Sequence, residues 1–113
     1  MPKEMMSLEF ENLENITKQL WGAANSRSIC SLKLEDENGY RMIHTHGIFM
    51  SKQKKLTIVC WQKSGLGEKG LSEGYRNLAL DRCESVLVLS RKFVKRRDFN
   101  PNDEQYGEWL FHI

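Results

Sequence analysis

The sequence predicts a mainly β protein, one N-terminal helix followed by five or so short strands in a small, strongly bent sheet or barrel. Three observations carry this. An apolar stripe at three- and four-residue steps is confined to the segment before Ser28. Beyond it, short alternating or β-branched runs are separated by turns rich in Asn, Gly and Lys. No helical segment lies between those runs, which disfavours parallel strands, whose crossovers need about a dozen residues.

The helix is expected over about residues 7–24. In SLEFENLENITKQLWGAANSR, Phe10, Leu13, Ile16, Leu20 and Trp21 form one stripe. Ser7 is the candidate N-cap, Glu9 and Glu11 suit the first turn, and Gly22 or Asn25 is expected to end the helix. SICSLKLEDENGYRMIHTHGIFM reads as a hairpin, in which Cys30, Leu32 and Leu34 alternate with Ser31 and Lys33. Asn38-Gly39 is the strongest short signal for its turn. SKQKK is a second turn, and LTIVCWQ a buried strand dense in β-branched and aromatic residues. KSGLGEKGLSEG is a glycine-rich loop, and YRNLAL and ESVLVLS supply further strands. The barrel is expected over about 28–97, with 98–113 as a C-terminal extension. There Pro101 and Asn102 break the pattern, and EWLFHI is an edge strand or a docked end. Residues 1–113 are read as one domain.

Composition narrows the class. The chain is 40% hydrophobic and 28% charged, ordinary for a globular protein. Its apolar runs fall far short of the roughly 18 residues of a membrane helix, and MPKEMMSLEFEN has no secretion signal. Cys30, Cys60 and Cys83 are odd in number and widely spaced. That argues against a disulfide framework and fits a reducing cytoplasm. Charge is segregated: Arg41–Arg97 holds 13 Lys/Arg against four Asp/Glu, a net of +9, and the remainder carries a net of −7. A basic body of this kind attracts polyanions.

Motifs for catalysis are missing. GLGEKG lacks the Lys-Ser/Thr ending of a phosphate loop, and there is no serine elbow. His44 and His46 would point the same way on a strand, and with Cys60 and His112 they supply zinc-ligand chemistry, but their spacing is not that of a structural site. Cys60 lies in the most hydrophobic strand, where cysteine is normally a small core residue rather than a nucleophile. No enzyme, metal or cofactor is therefore expected.

GYRNLALDRCESVLVL, residues 74–89, carries the sharpest site expectation. In one continuous strand, Arg76, Leu78, Leu80 and Arg82 would share a face. Two arginines on a mostly apolar face call for an anionic partner. The alternative for Arg82 is to hold the turn through Asp81, Glu84 or backbone carbonyls. RKFVKRR brings Arg91, Lys92, Lys95, Arg96 and Arg97 together with Phe93 and Val94. It reads either as a backbone-tracking groove with a stacking platform or as a solvated edge anchored by Phe93.

The run Arg76, Leu78, Leu80, Asp81, Arg82, Cys83 resembles the closing signature of WYL domains, an Arg-x-Phe-x-Leu-Asp-Arg-Ile run leading into a strand. YRMIHTHGIFMSKQKKLTIVCW is similar to that family's upstream stretch, and the resemblance covers roughly residues 10–97. The name-giving triplet falls on Leu56, Thr57 and Ile58, the usual proline on Thr45 and the usual isoleucine on Cys83. The family's pocket tyrosine thus falls on Thr57; Trp61, on the same strand face, supplies a ring in its place or packs in the core. The resemblance implies an SH3-like or Sm-like small β-barrel. It also implies a ligand-sensing role in bacterial transcription regulation, with single-stranded nucleic acid or a nucleotide-like ligand in a basic pocket. Ligand contacts are then expected from Arg76, Arg82, His44, His46, Thr57 and Trp61. About 27 residues before the first strand leave no room for a helix-turn-helix. The expectation is a stand-alone module that acts with a separate regulatory partner or regulates a neighbour's activity. The alternative is a protein-interaction or homodimerisation module with an incidental basic face.

Overall fold

The computed structural model describes residues 3–64 and 73–113, with side chains over 12–63 and 73–113. Helix α1 spans Lys3–Ser26. Six strands follow: β1 Ser28–Leu34, β2 Arg41–Met50, β3 Leu56–Ser64, β4 Gly74–Ala79, β5 Cys83–Lys92 and β6 Glu108–His112. A one-turn 3-10 segment, Leu80–Arg82, separates β4 from β5.

The helix is longer than the sequence suggests. It starts at Lys3, so Ser7 lies inside it rather than capping it. It runs through Gly22 and Asn25 and stops where Arg27 takes a left-handed φ of 57°. There the Arg27 N–H and guanidinium both donate to the Ala24 carbonyl, at 3.2 and 2.7 Å. A side-chain donor thus replaces the usual glycine as the terminating device. Ile16, Leu20, Ala23 and Ala24 form the buried stripe, with Leu13 half-buried. Trp21 lies off it, 41% exposed, with its ring stacked on Phe111 at 5.0 Å. The Phe10 side chain lies outside the described residues.

All strand pairings are antiparallel, in the order β4-β3-β2-β1-β5. Strand β2 is long enough to carry β1 along its first part and β6 along its second, on the same edge. Strands β4 and β5 are the ends of the hydrogen-bonded path, so the sheet is open among the described residues rather than a closed barrel. EWLFHI is a paired strand. No helix among the described residues is long and apolar enough to cross a membrane.

The two faces of the sheet have separate covers. Ile43, Ile48, Ile58, Cys60 and Leu78 meet α1 in the main core. On the other face Phe49 and Val59 pack with Phe99, Tyr106 and Trp109 from the C-terminal segment. A bulge in β2 makes this possible. Thr45 pairs with Cys60 and Gly47 with Val59, leaving His46 as the extra residue. Ile43 and Ile48, five apart, would otherwise face opposite sides. A Cβ on Gly47 would lie 2.6 Å from the Phe111 carbonyl oxygen, and one on Gly107 would strike the Met50 carbonyl, so these glycines let β6 dock.

The first hairpin departs from its local turn signal. A two-residue Asn38-Gly39 turn would pair Leu34 with Ile43; Cys30 pairs with Ile43 instead, and the loop is 35–40. Longer-range partners hold it there. Arg41 grips Glu37 with Nε and Nη2, at 3.1 and 2.7 Å, and Glu35 N–H donates to Arg82 O at 2.8 Å. SKQKK is the second turn, with Lys54 at φ 65°. Of KSGLGEKGLSEG, residues 65–72 lie outside the described residues.

Burial pushes the Cys60 thiol up to about 12 and those of Cys30 and Cys83 to about 11. At about pH 8 all three should resist an aromatic disulfide reagent in the folded protein and react once denatured. Fast labelling of any one in the native state would contradict this packing. Leu20 is fully buried, so Leu20→Ala should cost roughly 2–5 kcal/mol, and half-buried Leu13→Ala less. A wild-type denaturation midpoint for Leu20→Ala would show that the helix is not docked.

Candidate nucleic-acid interface

After β5 the chain crosses the face opposite the helix and touches the strands in turn. Phe93 N–H donates to Arg27 O at 2.8 Å, ahead of β1. The Phe93 ring stacks on His44 of β2 at 4.7 Å, nearly parallel. Arg96 lies over Trp61 of β3, its guanidinium carbon 3.5 Å from the ring centroid. Asp98 accepts the Tyr75 hydroxyl of β4 at 2.6 Å. His44, Trp61 and Tyr75 are cross-strand partners in one row, which is why one strap reaches all three.

His46 pins the strap. Its Nε2 accepts the Arg96 N–H at 3.2 Å, which leaves the proton on Nδ1 to donate to His44 O at 2.9 Å. The ring is fully buried among Phe93, Phe99 and Tyr75. Desolvation holds its pKa below 6.5, and nearby Lys95, Arg27 and Arg96 act the same way. His44, shielded by burial and facing His46, is lowered too.

Arg96 is fixed in orientation. Its Nε and Nη2 meet the two Asp98 oxygens at 3.1 and 3.4 Å. The pairing, with help from Tyr75, lowers the Asp98 carboxyl. Burial, then Asp98, pushes the Tyr75 hydroxyl up to about 12. Trp61 is steadied from its edge: Nε1 donates to Glu73 at 3.0 Å, and Lys63 sits 3.2 Å from the same oxygen. The guanidinium over the indole is a cation–π contact, held in place from both sides by Asp98 and Glu73.

The sequence-predicted residues divide. His44, His46, Trp61 and Arg96 converge on this face. Arg91, Lys92, Lys95 and Arg97 are exposed around the strap, with Val94 86% exposed at its crest. Lys92 Nζ also donates to Ser28 at 3.0 Å. Thr57 shares the face of Trp61, four residues along β3 beside Phe49 and Ala79. Arg76 and Arg82 are not on one strand, because the 3-10 turn intervenes. Arg82 is exposed and donates to Glu35 O at 3.1 Å, a turn-holding contact. Arg76, at the β4 edge, donates to Tyr75 O at 2.9 Å. Cys60 lies on the helix face, away from His44 and His46. Tyr75, Glu73 and Asp98 were missed; only contacts between distant segments reveal them.

An apolar cavity of about 570 Å³ lies between α1 and the β2–β3 turn, walled by Leu13, Met50, Leu56 and Leu80. None of the predicted ligand residues lines it. Comparison with protein-family models, curated proteins and solved structures returns no significant match.

The His46 geometry sets a pH dependence. Its folded pKa lies below the unfolded value of 6.5, so the unfolded chain binds more protons as pH falls. Stability should be level above about pH 6.5 and fall below it. His46→Gln should be less stable near neutral pH and show a flatter acid limb, with His44 keeping part of the slope. A wild-type acid limb in that variant would remove His46 as a linked group.

Proposed function

We propose that the chain is a regulatory module that binds single-stranded nucleic acid or a nucleotide-like ligand across the strap. The observation that carries the reading is the Arg96–Trp61 platform set among the exposed cations Arg91, Lys92, Lys95 and Arg97. Single strands are held by stacking surfaces and by cations that track the phosphates, and an arginine plane is such a surface. Asp98 neutralises Arg96 but leaves the neighbouring cations for phosphate. The affinity is then sequence-independent in its electrostatic part. The WYL-like run around Arg76 and Arg82 supports a sensor of the same class. The strand order, with one 3-10 turn joining the two end strands, supports an SH3-like or Sm-like description of the sheet.

A second reading has one observation in its favour. Edge strand β5 exposes Leu87 (61%) and Val88 (39%), and an apolar edge left unpaired among the described residues suits pairing with another chain. On that reading the strap's charge is incidental, and a separate regulatory protein or a second copy is the partner.

Titration of labelled oligothymidine at several salt concentrations separates the two. Nucleic-acid binding should weaken with salt at a slope of about −0.7 per neutralised phosphate. Replacing Lys95 and Arg97 together by Ala should weaken binding and flatten the slope by about 1.4, two phosphates' worth. No binding at low salt, or a salt-independent affinity, would shift the reading to the interaction module.

A further inference from the structure

His46 holds the strap by a contact that only its neutral ring can make. We infer that it is a proton-operated latch: a proton taken up by His46 frees the middle of the strap while helix and sheet stay folded, and the Arg96–Trp61 contact comes apart with it. The latch itself does not depend on the strap reading; its effect on a bound strand rests on that reading.

Both ring nitrogens are committed. Nδ1 donates to His44 O at 2.9 Å, and Nε2 accepts Arg96 N–H at 3.2 Å. An added proton must go on Nε2, where it would face the Arg96 N–H, donor against donor. The ring is fully buried, covered by Phe93 and Phe99 of the strap and by Tyr75 of β4. Reaching another acceptor therefore means moving that cover.

The charges around the ring oppose the proton as well. Lys95 and Arg96 lie on the strap, Arg27 ahead of β1 and His44 two residues back in β2. Lys63 and Glu73 act on His44 from the β3–β4 side, and His112 of β6 packs on Phe99. The strap's one carboxylate, Asp98, is taken by Arg96 and the Tyr75 hydroxyl. Freed of the strap, the ring would meet water and regain its ordinary pKa of 6.5. Acid thus favours the open form, by up to about tenfold per pH unit in the range just below that value.

The opening is local because of how the strap is attached. Phe93 and Phe99 are its buried ends, and Val94, Lys95, Arg97 and Asp98 between them are exposed. Neither end belongs to the core between helix and sheet. A segment with few buried contacts opens before the fold does. His44 favours the open form too: its Nε2 is buried without a hydrogen-bond partner among the described residues, and its ring is stacked on Phe93.

The test follows the full chain by NMR from about pH 7.5 to about pH 5. The His46 ring should titrate with a midpoint below 6.5, and the amides of Arg96, Arg97 and Asp98 should move on the same one-proton curve. The methyl signals of Leu20, Ile43 and Ile58 should keep their folded positions throughout. His46→Gln should abolish the strap's curve, and His112→Gln, which leaves the pin intact, should keep it. Should His46→Gln fail to fold, the wild-type curves decide alone. A ring that stays neutral over this range, or that titrates while the strap amides stay put, overturns the latch. So does a strap curve that survives in folded His46→Gln, and so does loss of the core signals on the same curve, which would be unfolding. Labelled oligothymidine gives a second readout. Added positive charge alone would tighten its binding as pH falls, whereas release of the strap should weaken it across the same midpoint. Tightening there overturns the link between latch and binding. No binding at any pH removes the strap reading and leaves the latch to stand or fall on the NMR curves.

Discussion

The rest of this structure depends on the single extra residue in β2. His46 interrupts the alternation so that Ile43 and Ile48 can both enter the main core. The bulge also brings Gly47 against β6, where no Cβ would fit. A histidine in that position is fully buried, and a buried imidazole must find partners. It finds them in two directions, accepting from Arg96 N–H and donating to His44 O. Its own carbonyl accepts Ile113 N–H at 2.9 Å. One residue thus joins the centre of the sheet, the strap and the C-terminus.

A segment as basic as RKFVKRR would ordinarily be solvated along its whole length. Here alternate demands divide it. Phe93 is buried, Arg96 is spent on Trp61 and Asp98, and Val94, Lys95 and Arg97 are turned out. The anchors order the backbone, and the ordering lowers the entropy that the outward cations lose on meeting a polyanion. Structure and charge are therefore not competing uses of the segment, since different residues serve each.

How legible this was depended on the range of the interaction. The helix stripe of Leu13, Ile16 and Leu20 was legible, because periodicity reports burial directly. So were the strand positions and the basic run. The helix ends were not. The stop at Arg27 relies on a guanidinium reaching back to Ala24, where a glycine or asparagine was expected. Asn38-Gly39 failed as a hairpin turn because Arg41–Glu37 and Glu35–Arg82 contacts outweigh a local preference. The Arg76–Arg82 face failed for a simpler reason. It assumed unbroken alternation through Leu80–Arg82, and those residues turn instead. The platform was half legible: Trp61 and Arg96 each stood out, but nothing in the sequence joins them.

The charge segregation of the chain takes a different meaning in three dimensions. In the sequence, a positive body is flanked by negative ends, as if the ends were mere counterweights. In the fold, the negative C-terminal segment is laid back beside β4, with Asp98 on Arg96 and Asp103 near Tyr75 and Asn77. Cations of the strap and carboxylates of the 98–106 segment therefore lie side by side rather than at opposite ends. A uniformly basic groove would attract phosphate everywhere and fix no orientation. A basic strap beside an acidic segment draws phosphate to one side and repels it from the other. On the strap reading, the side on which a bound strand places its phosphates is set by that contrast before any close contact forms.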